Sequence, residues 1–224
     1  MKPSSHSRSE VSVILDQDVS TTAFLGLPDD PKGLVLFAHG SGSGRNSPRN
    51  RFVADALNAA GLATLLLDLL TPEEDAIDRR TSELRFDIAL LTRRLIGATD
   101  WVRSQPALST YRLAYFGAST GAAAALIAAA IVPGEIFAVV SRGGRPDLAG
   151  QYLARVHAPT LFIVGGNDRE VMGLNRRASA RMTADRQIVV VPGAAHLFEE
   201  PGALEEVARL SRYWFVQHLA NSEP

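Results

Sequence analysis

Hydrophobic and polar positions in this chain switch between two periods. Glu10 to Leu15 and Val19 to Leu27 alternate, as strands covered on one face do, and Leu27-Pro28-Asp29-Asp30-Pro31 ends the pair. An antiparallel sheet edge is expected there. Gly33 to Ala38 (GLVLFA) and Leu62 to Leu67 (LATLLL) are unbroken apolar runs. Such runs suit strands covered on both faces. Between them Ser47-Pro48 supplies an N-cap and a proline at the first helical position. Val53, Ala56, Leu57 and Ala60 then recur at helical spacing, and Gly61 stops the helix. Thr71 to Arg80 (TPEEDAIDRR) shows no apolar stripe and reads as a charged connection. Leu84, Ile88, Leu91, Leu95 and Val102 mark one face of a long helix.

The remainder repeats the alternation. Arg112 to Phe116 predicts a strand, Thr120 to Ile131 an Ala-rich helix, and Ile136 to Val140 and Thr160 to Val164 two more strands. Val171, Leu174, Ala178 and Met182 form a helical face, Gln187 to Val191 the last strand, and Leu204, Val207, Ala208, Ser211, Phe215 and His218 a closing helix. Strands separated by helices imply right-handed crossovers. The expected fold class is therefore α/β, with a mostly parallel twisted sheet and helices on both faces. In such sheets ligands bind beyond the carboxyl ends of the strands. No repeat, linker or composition break divides the chain. One domain is expected over residues 10–224, with residues 1–9 a loose tail.

Composition narrows the function classes. The 224 residues are 46 % apolar and 21 % charged, which suits a globular chain able to bury a full core. Basic and acidic side chains nearly cancel, leaving a net charge of -1. No basic field for nucleic acid follows from that balance. There is no Cys, so disulfides, thiolate metal sites and a Cys nucleophile are excluded. The polar start MKPSSHSRSE has no apolar core of a secretory signal. The longest apolar run, Gly121 to Val132, has 12 residues and is too short to span a bilayer. These features predict a soluble, cytoplasmic protein, monomeric or homodimeric, with no membrane or nucleic-acid partner.

Chemistry is then sought in the loops that follow the strands. The first, His39-Gly40-Ser41-Gly42-Ser43-Gly44-Arg45-Asn46, can fold tightly and turn backbone N–H groups outward, toward an anion or a developing oxyanion. It is neither a P-loop nor a dinucleotide fingerprint, because both spacings fail. The loop Gly117-Ala118-Ser119-Thr120-Gly121 is G-x-S-x-G between a predicted strand and a predicted helix. In that context the sharp turn lifts the Ser119 hydroxyl clear of the sheet and needs small residues two before and two after it. The same turn sets the Thr120 N–H at a helix start, where negative charge is favoured.

A serine hydroxyl needs a base to attack, and the base needs an acid to orient it. Of the three histidines downstream, His157 precedes a strand and His218 follows the stripe of the last helix. His196, in Pro192-Gly193-Ala194-Ala195-His196, alone falls on a loop at the carboxyl edge. Two acids occupy that edge. Asp168 closely follows its strand behind Gly165-Gly166, while Asp147 lies further on beside Pro146 and two arginines. Asp168 is the favoured acid and Asp147 the alternative. Arg45, Arg142 and Arg145 also fall on these loops. They either hold loops through Asp147 or Glu199 or contact substrate, with Arg45 and Arg142 the candidates for contact. No metal-binding spacing occurs among the five histidines, and no cofactor is implied.

The segments HGSGSGRNSPRN (39–50), GASTG (117–121), SRGGRPDLAG (141–150), VGGND (164–168) and GAAHLFEEPGALEE (193–206) resemble the α/β-hydrolase superfamily, specifically its small, capless dienelactone-hydrolase-like branch. The likeness covers about residues 10–219. It extends to the small hydrolase module sometimes attached to a phosphoribosyltransferase domain, with no residues left here for that partner. The resemblance implies Ser119 as nucleophile, Asp168 as acid and His196 as base. It also implies an oxyanion hole from the N–H groups of Thr120 and Ser41. Dienelactone hydrolases carry Cys where this chain has Ser119, so the likeness speaks for acyl-transfer machinery more than for a dienelactone substrate. Cap domains of this fold are inserted after the strand that ends near Val140. Only 19 residues, Ser141 to Pro159, separate that strand from the next, so no cap is expected. The expected function is hydrolysis of small carboxylic esters or lactones. An acyltransferase or a non-catalytic binding module on the same fold are the alternatives.

Overall fold

The computed structural model describes residues 8–16 and 19–220. Eight strands form one sheet: β1 (Arg8–Asp16), β2 (Val19–Gly26), β3 (Gly33–Ala38), β4 (Leu62–Leu67), β5 (Leu113–Ala118), β6 (Ile136–Arg142), β7 (Thr160–Gly165) and β8 (Arg186–Val191). Their order is β1-β2-β4-β3-β5-β6-β7-β8. β1 and β2 form an antiparallel pair, and β2 runs antiparallel to β4. All other neighbours are parallel. Six α-helices cover the faces: α1 (Pro48–Asn58), α2 (Pro72–Thr81), α3 (Ile88–Ser104), α4 (Thr120–Ile131), α5 (Arg169–Ser179) and α6 (Ala203–Ala220). This is the α/β-hydrolase arrangement.

Alternate residues of each central strand feed two cores. Leu36, Leu65, Tyr115, Val139 and Phe162 pack in one layer with Leu91 and Leu95 of α3 and the alanines of α4. Phe37, Leu66, Phe116, Val140 and Ile163 pack on the opposite face with Val53 and Leu57 of α1 and Trp214 and Phe215 of α6. Eleven of the twelve residues of α4 are buried, and an all-round apolar helix requires such cover. It lies against β5, α3 and the segment after β6.

Four details differ from the sequence pattern. β1 begins at Arg8, so two residues assigned to the tail belong to the sheet; residues 1–7 of that tail lie outside the described residues. Thr71 to Arg80, expected as a connection, is mostly helix α2. A full capping box starts it: Glu74 N–H bonds the Thr71 hydroxyl, and the Glu74 carboxylate accepts the Thr71 N–H. The long helix starts at Ile88 rather than near Leu84. Asp87 caps it by accepting the Leu90 N–H at 2.9 Å, leaving Leu84–Phe86 as a 3₁₀ turn. β6 runs two residues past Val140, because pairing with Gly117, Ala118, Phe162 and Ile163 continues through Ser141 and Arg142. The stretch after β6 holds only a kinked 3₁₀ segment, Pro146–Arg155, and no cap domain. Among the described residues no helix is long and apolar enough to cross a membrane.

Candidate active site

Ser119 sits at the tip of the turn from β5 to α4 with φ 50° and ψ -121°. An L residue reaches that conformation only under strain, worth about 1–3 kcal/mol. The surroundings hold it in place. Its N–H bonds Arg142 O at 3.2 Å, and its carbonyl accepts the N–H groups of Ala122 and Arg145, each at 3.1 Å. A methyl group on Gly117 would overlap the backbone of Ala122, and one on Gly121 would overlap the carbonyls of Ala38 and His39. The two small residues that the turn demands are therefore both enforced by backbone. Gly40 is pressed from the other side, since a Cβ there would lie 3.0 Å from Ser119 Cβ.

The residues expected to serve as base and acid meet as follows. Asp168 follows β7 and caps α5, its Oδ1 accepting the Val171 N–H at 3.4 Å. Its Oδ2 lies 2.7 Å from His196 Nδ1. The Asp168 side chain is 14 % exposed and the His196 ring 40 %. The carboxylate is thus shielded while the imidazole faces open space. Gly143 packs beneath His196, where a Cβ would come 3.0 Å from His196 O. Asp147 turns elsewhere: both its oxygens take the Arg145 fork, at 2.9 and 2.8 Å. His157 is exposed at the start of β7, and His218 bonds Trp214 O at 2.9 Å inside α6.

The Gly/Ser loop is fixed by a residue that sequence reasoning passed over. His39 is buried, its Nε2 accepts the Leu69 N–H at 2.9 Å, and its Nδ1 faces Gly40 O at 3.0 Å. With Nε2 as acceptor, Nδ1 carries the hydrogen. Burial is the main influence on this ring and pushes its pKa below the usual histidine value, which keeps it neutral. Its place directly before Gly40, at the end of an apolar strand, was the available signal. The loop it anchors brings Ser41 Oγ within 3.3 Å of Thr120 Oγ1, so the two residues proposed to stabilise an oxyanion are side by side.

A cavity of about 720 Å³ opens next to these two residues. Gly40, Ser41 and Thr120 line its inner end, and the far wall belongs to α2 and the turn after it, through Asp75, Asp78, Arg79 and Arg85. Ser119 and His196 are not among the lining residues, so the cavity adjoins the site on the side of Ser41 and Thr120. Its charges are cross-linked. Asp78, almost wholly buried, accepts Arg85 Nε at 2.6 Å and the Arg85 N–H at 2.9 Å. Asp75 accepts Arg79 Nε at 2.9 Å.

The three arginines separate. Arg45 lines the cavity but is tied to Asp68 through its side chain and, at 2.6 Å, through its backbone N–H. It also lies over the Phe24 ring at 5.4 Å. Arg145 holds Asp147. Arg142, expected on a loop, is the last residue of β6 and is only 7 % exposed. Among the described residues no group of three or more His, Asp or Glu side chains is placed to hold a metal ion.

The dienelactone hydrolase family matches residues 21–215. A crystal structure of a dienelactone hydrolase from Anabaena variabilis is similar, with 54 % identity, a TM-score of 0.91, and coverage of 95 % of this chain and 99 % of that one. Est1E from Butyrivibrio proteoclasticus shares the fold at 16 % identity, with a TM-score of 0.78 over 94 % of this chain and 99 % of its own. A Mycobacterium tuberculosis protein that carries the provisional name phosphoribosyl transferase is 54 % identical over 97 % of this chain but only 48 % of its own length. The chain thus spans about half the length of that relative. With a matched family, a shared fold and a strained serine turn at the sheet edge where Asp168 meets His196, the chain belongs to the dienelactone hydrolase family.

Proposed function

We propose that the chain is a serine hydrolase that cleaves small carboxylic esters or lactones through an acyl-enzyme. The observation that carries this reading is the 2.7 Å contact between His196 Nδ1 and Asp168 Oδ2, on the same sheet edge as the strained Ser119 turn. A hydrogen on Nδ1 leaves Nε2 as the acceptor for the Ser119 proton. Ser119 Oγ then attacks the carbonyl carbon. The N–H groups of Ser41 and Thr120 receive the oxyanion, Thr120 with the added field of the α4 N-terminus. His196 returns the proton to the leaving alcohol, and water attacks the acyl-enzyme by the same route in reverse.

The size of the substrate follows from the walls. No cap covers the site, and the adjoining cavity sets the ion-paired Arg45, Asp68, Asp75, Asp78, Arg79 and Arg85 beside only two leucines, Leu70 and Leu91. A longer acyl chain therefore gains little of the ~0.8 kcal/mol per CH₂ that full burial provides. Compact, polar esters fit better than lipids. Phosphoribosyl transfer is not part of this reading.

The test is steady-state turnover of p-nitrophenyl acetate with and without an added alcohol. Saturable release of p-nitrophenol with free acetate as the second product supports hydrolysis. Exclusive formation of the new ester would make the chain an acyltransferase, and no turnover of any small ester would leave a binding module.

A further inference from the structure

The loop that presents Ser41 runs from His39 to Asn46 and contains Gly40, Gly42 and Gly44, so its backbone has many conformations open to it. Gly42 uses a left-handed one, with φ 64°. Two backbone turns shape the loop: the Ser43 N–H bonds Gly40 O at 3.2 Å, and the Ser47 N–H bonds Gly44 O at 3.0 Å. These turns close the loop on itself. They do not by themselves fix where its N–H groups point relative to Ser119.

The hold on the sheet comes from Asp68 and Leu69, which directly follow β4, the strand paired with β3. At one end of the loop the Leu69 N–H donates to His39 Nε2 at 2.9 Å. At the other end Asp68 Oδ1 accepts the Arg45 N–H at 2.6 Å, and its Oδ2 pairs with the Arg45 guanidinium. His39 and Arg45 bracket Ser41, so two consecutive residues pin the loop on both sides of it. Asp68 is itself held, its N–H reaching Thr22 O of β2 at 3.4 Å. Gly44 makes room for the carboxylate, since a Cβ there would lie 2.4 Å from Asp68 Oδ1.

We propose that Asp68 is a positioning residue for ester hydrolysis: by holding the Arg45 N–H it fixes the loop so that the Ser41 N–H is aimed at the oxyanion. This inference rests on the ester-hydrolase reading and adds a residue to it. An oxyanion donor acts only if it is aimed before the charge develops, and a displacement of about 1 Å can cost about a hundredfold in rate. The effect of Asp68 should therefore fall on kcat rather than on KM.

The experiment has three readouts: turnover of p-nitrophenyl acetate, inhibition by a trifluoromethyl ketone, and hydrogen exchange of the peptide covering residues 39–46. The ketone adds the serine hydroxyl to give a hemiketal oxyanion that needs the same donors. Asp68→Ala should lower kcat about 10- to 100-fold with KM nearly unchanged, and raise Ki for the ketone by a similar factor. Asp68→Asn, whose amide oxygen can still accept the Arg45 N–H, should stay within about threefold of the wild type. Gly44→Ala should reproduce the Asp68→Ala losses, because the new methyl group displaces the carboxylate. The double variant should be no worse than either single one, since both break one contact. The loop should exchange faster in Asp68→Ala and Gly44→Ala than in the wild type or Asp68→Asn. A loss confined to KM would make Asp68 a substrate contact. A lower Tm with kcat and Ki unchanged would make it structural only. Either result overturns the proposal, as do single losses that multiply in the double variant or an Asp68→Asn as impaired as Asp68→Ala. Should Asp68→Ala fail to fold, Gly44→Ala against the wild type decides by the same readouts. If exchange responds as expected and the wild type turns over no ester, the clamp on the loop stands and the hydrolase reading falls.

Discussion

The serine turn and the wall of α2 stand on two sides of one site and are held by opposite means. The turn is backbone against backbone: Gly117 on Ala122, Gly121 on Ala38 and His39, Ser119 bonded through both its N–H and its carbonyl. The wall is charge against charge: Asp78 with Arg85, Glu74 with Arg94, Asp75 with Arg79. Close backbone packing leaves one conformation, and strain at Ser119 persists because its surroundings over-determine it. Ion pairs leave more latitude where they are exposed, as between Asp75 and Arg79, which contributes little to stability, whereas the buried Asp78–Arg85 pair is costly to break. The proposed mechanism therefore puts the chemistry on the rigid side and the choice of substrate on the side that can vary.

The sharpest way to break this contrast is at the rigid side. Ser119→Ala should reduce ester turnover by about 10⁴-fold or more while the protein stays folded. A hydroxyl at a turn tip leaves no core cavity when removed, and circular dichroism checks that. Ser119→Gly should be equally inactive and more stable, by up to about 1–3 kcal/mol, because glycine accepts φ 50°.

Next in size is the acid. Asp168→Asn should lower kcat by about 10⁴-fold through the wrong His196 tautomer. Asparagine is also a good N-cap, so α5 should survive and thermal melting should change little. Asp147→Asn loses only a partly exposed fork with Arg145 and should keep most of its activity. Reversed ranks would transfer the acid role to Asp147.

His39 joins the two sides, and its effect should be smaller. His39→Ala leaves the buried Leu69 N–H without an acceptor, at about 1–3 kcal/mol, and loosens the loop that presents Ser41. Because burial depresses the His39 pKa, the unfolded chain takes up a proton more readily than the folded one. This contribution to stability is fully present above the ordinary value of 6.5 and is lost as pH falls below it toward the folded value. His39→Ala should flatten that acid-side slope in pH-dependent unfolding.

The smallest effects belong to the wall. Asp75→Asn, which opens the exposed pair with Arg79 on the cavity wall, should raise KM for p-nitrophenyl butyrate modestly and leave kcat for the acetate nearly unchanged. In a p-nitrophenyl ester series, kcat/KM should peak from acetate to butyrate and fall by octanoate. A peak at octanoate would reveal an apolar groove that the charged wall argues against.

The same division explains what could be read in advance. The placement of Ser119, Asp168 and His196 at one sheet edge was legible because the flanking apolar runs marked the strands that their loops follow. Helix α2 was not legible as a stripe: it has one aliphatic side chain beyond alanine, Ile77, and that is 45 % exposed. Thr71-Pro72-Glu73-Glu74 is a helix-start pattern, but no apolar periodicity follows it. Arg142 was assigned to a loop because two polar residues after Val140 suggest the end of a buried strand. Pairing on both sides nevertheless carries the strand through them. Partners distant in sequence, such as Glu74 with Arg94 or His39 with Leu69, leave no local pattern at all.

In the proposed mechanism Ser119 takes the acyl group. Reaction with a fluorophosphonate probe, followed by intact mass and peptide mapping, tests this most directly. One adduct per chain is expected, mapped to the peptide that contains Ser119, absent in Ser119→Ala and much slower in Asp168→Asn. No adduct on the folded wild type, or an adduct at another serine that survives in Ser119→Ala, would contradict it.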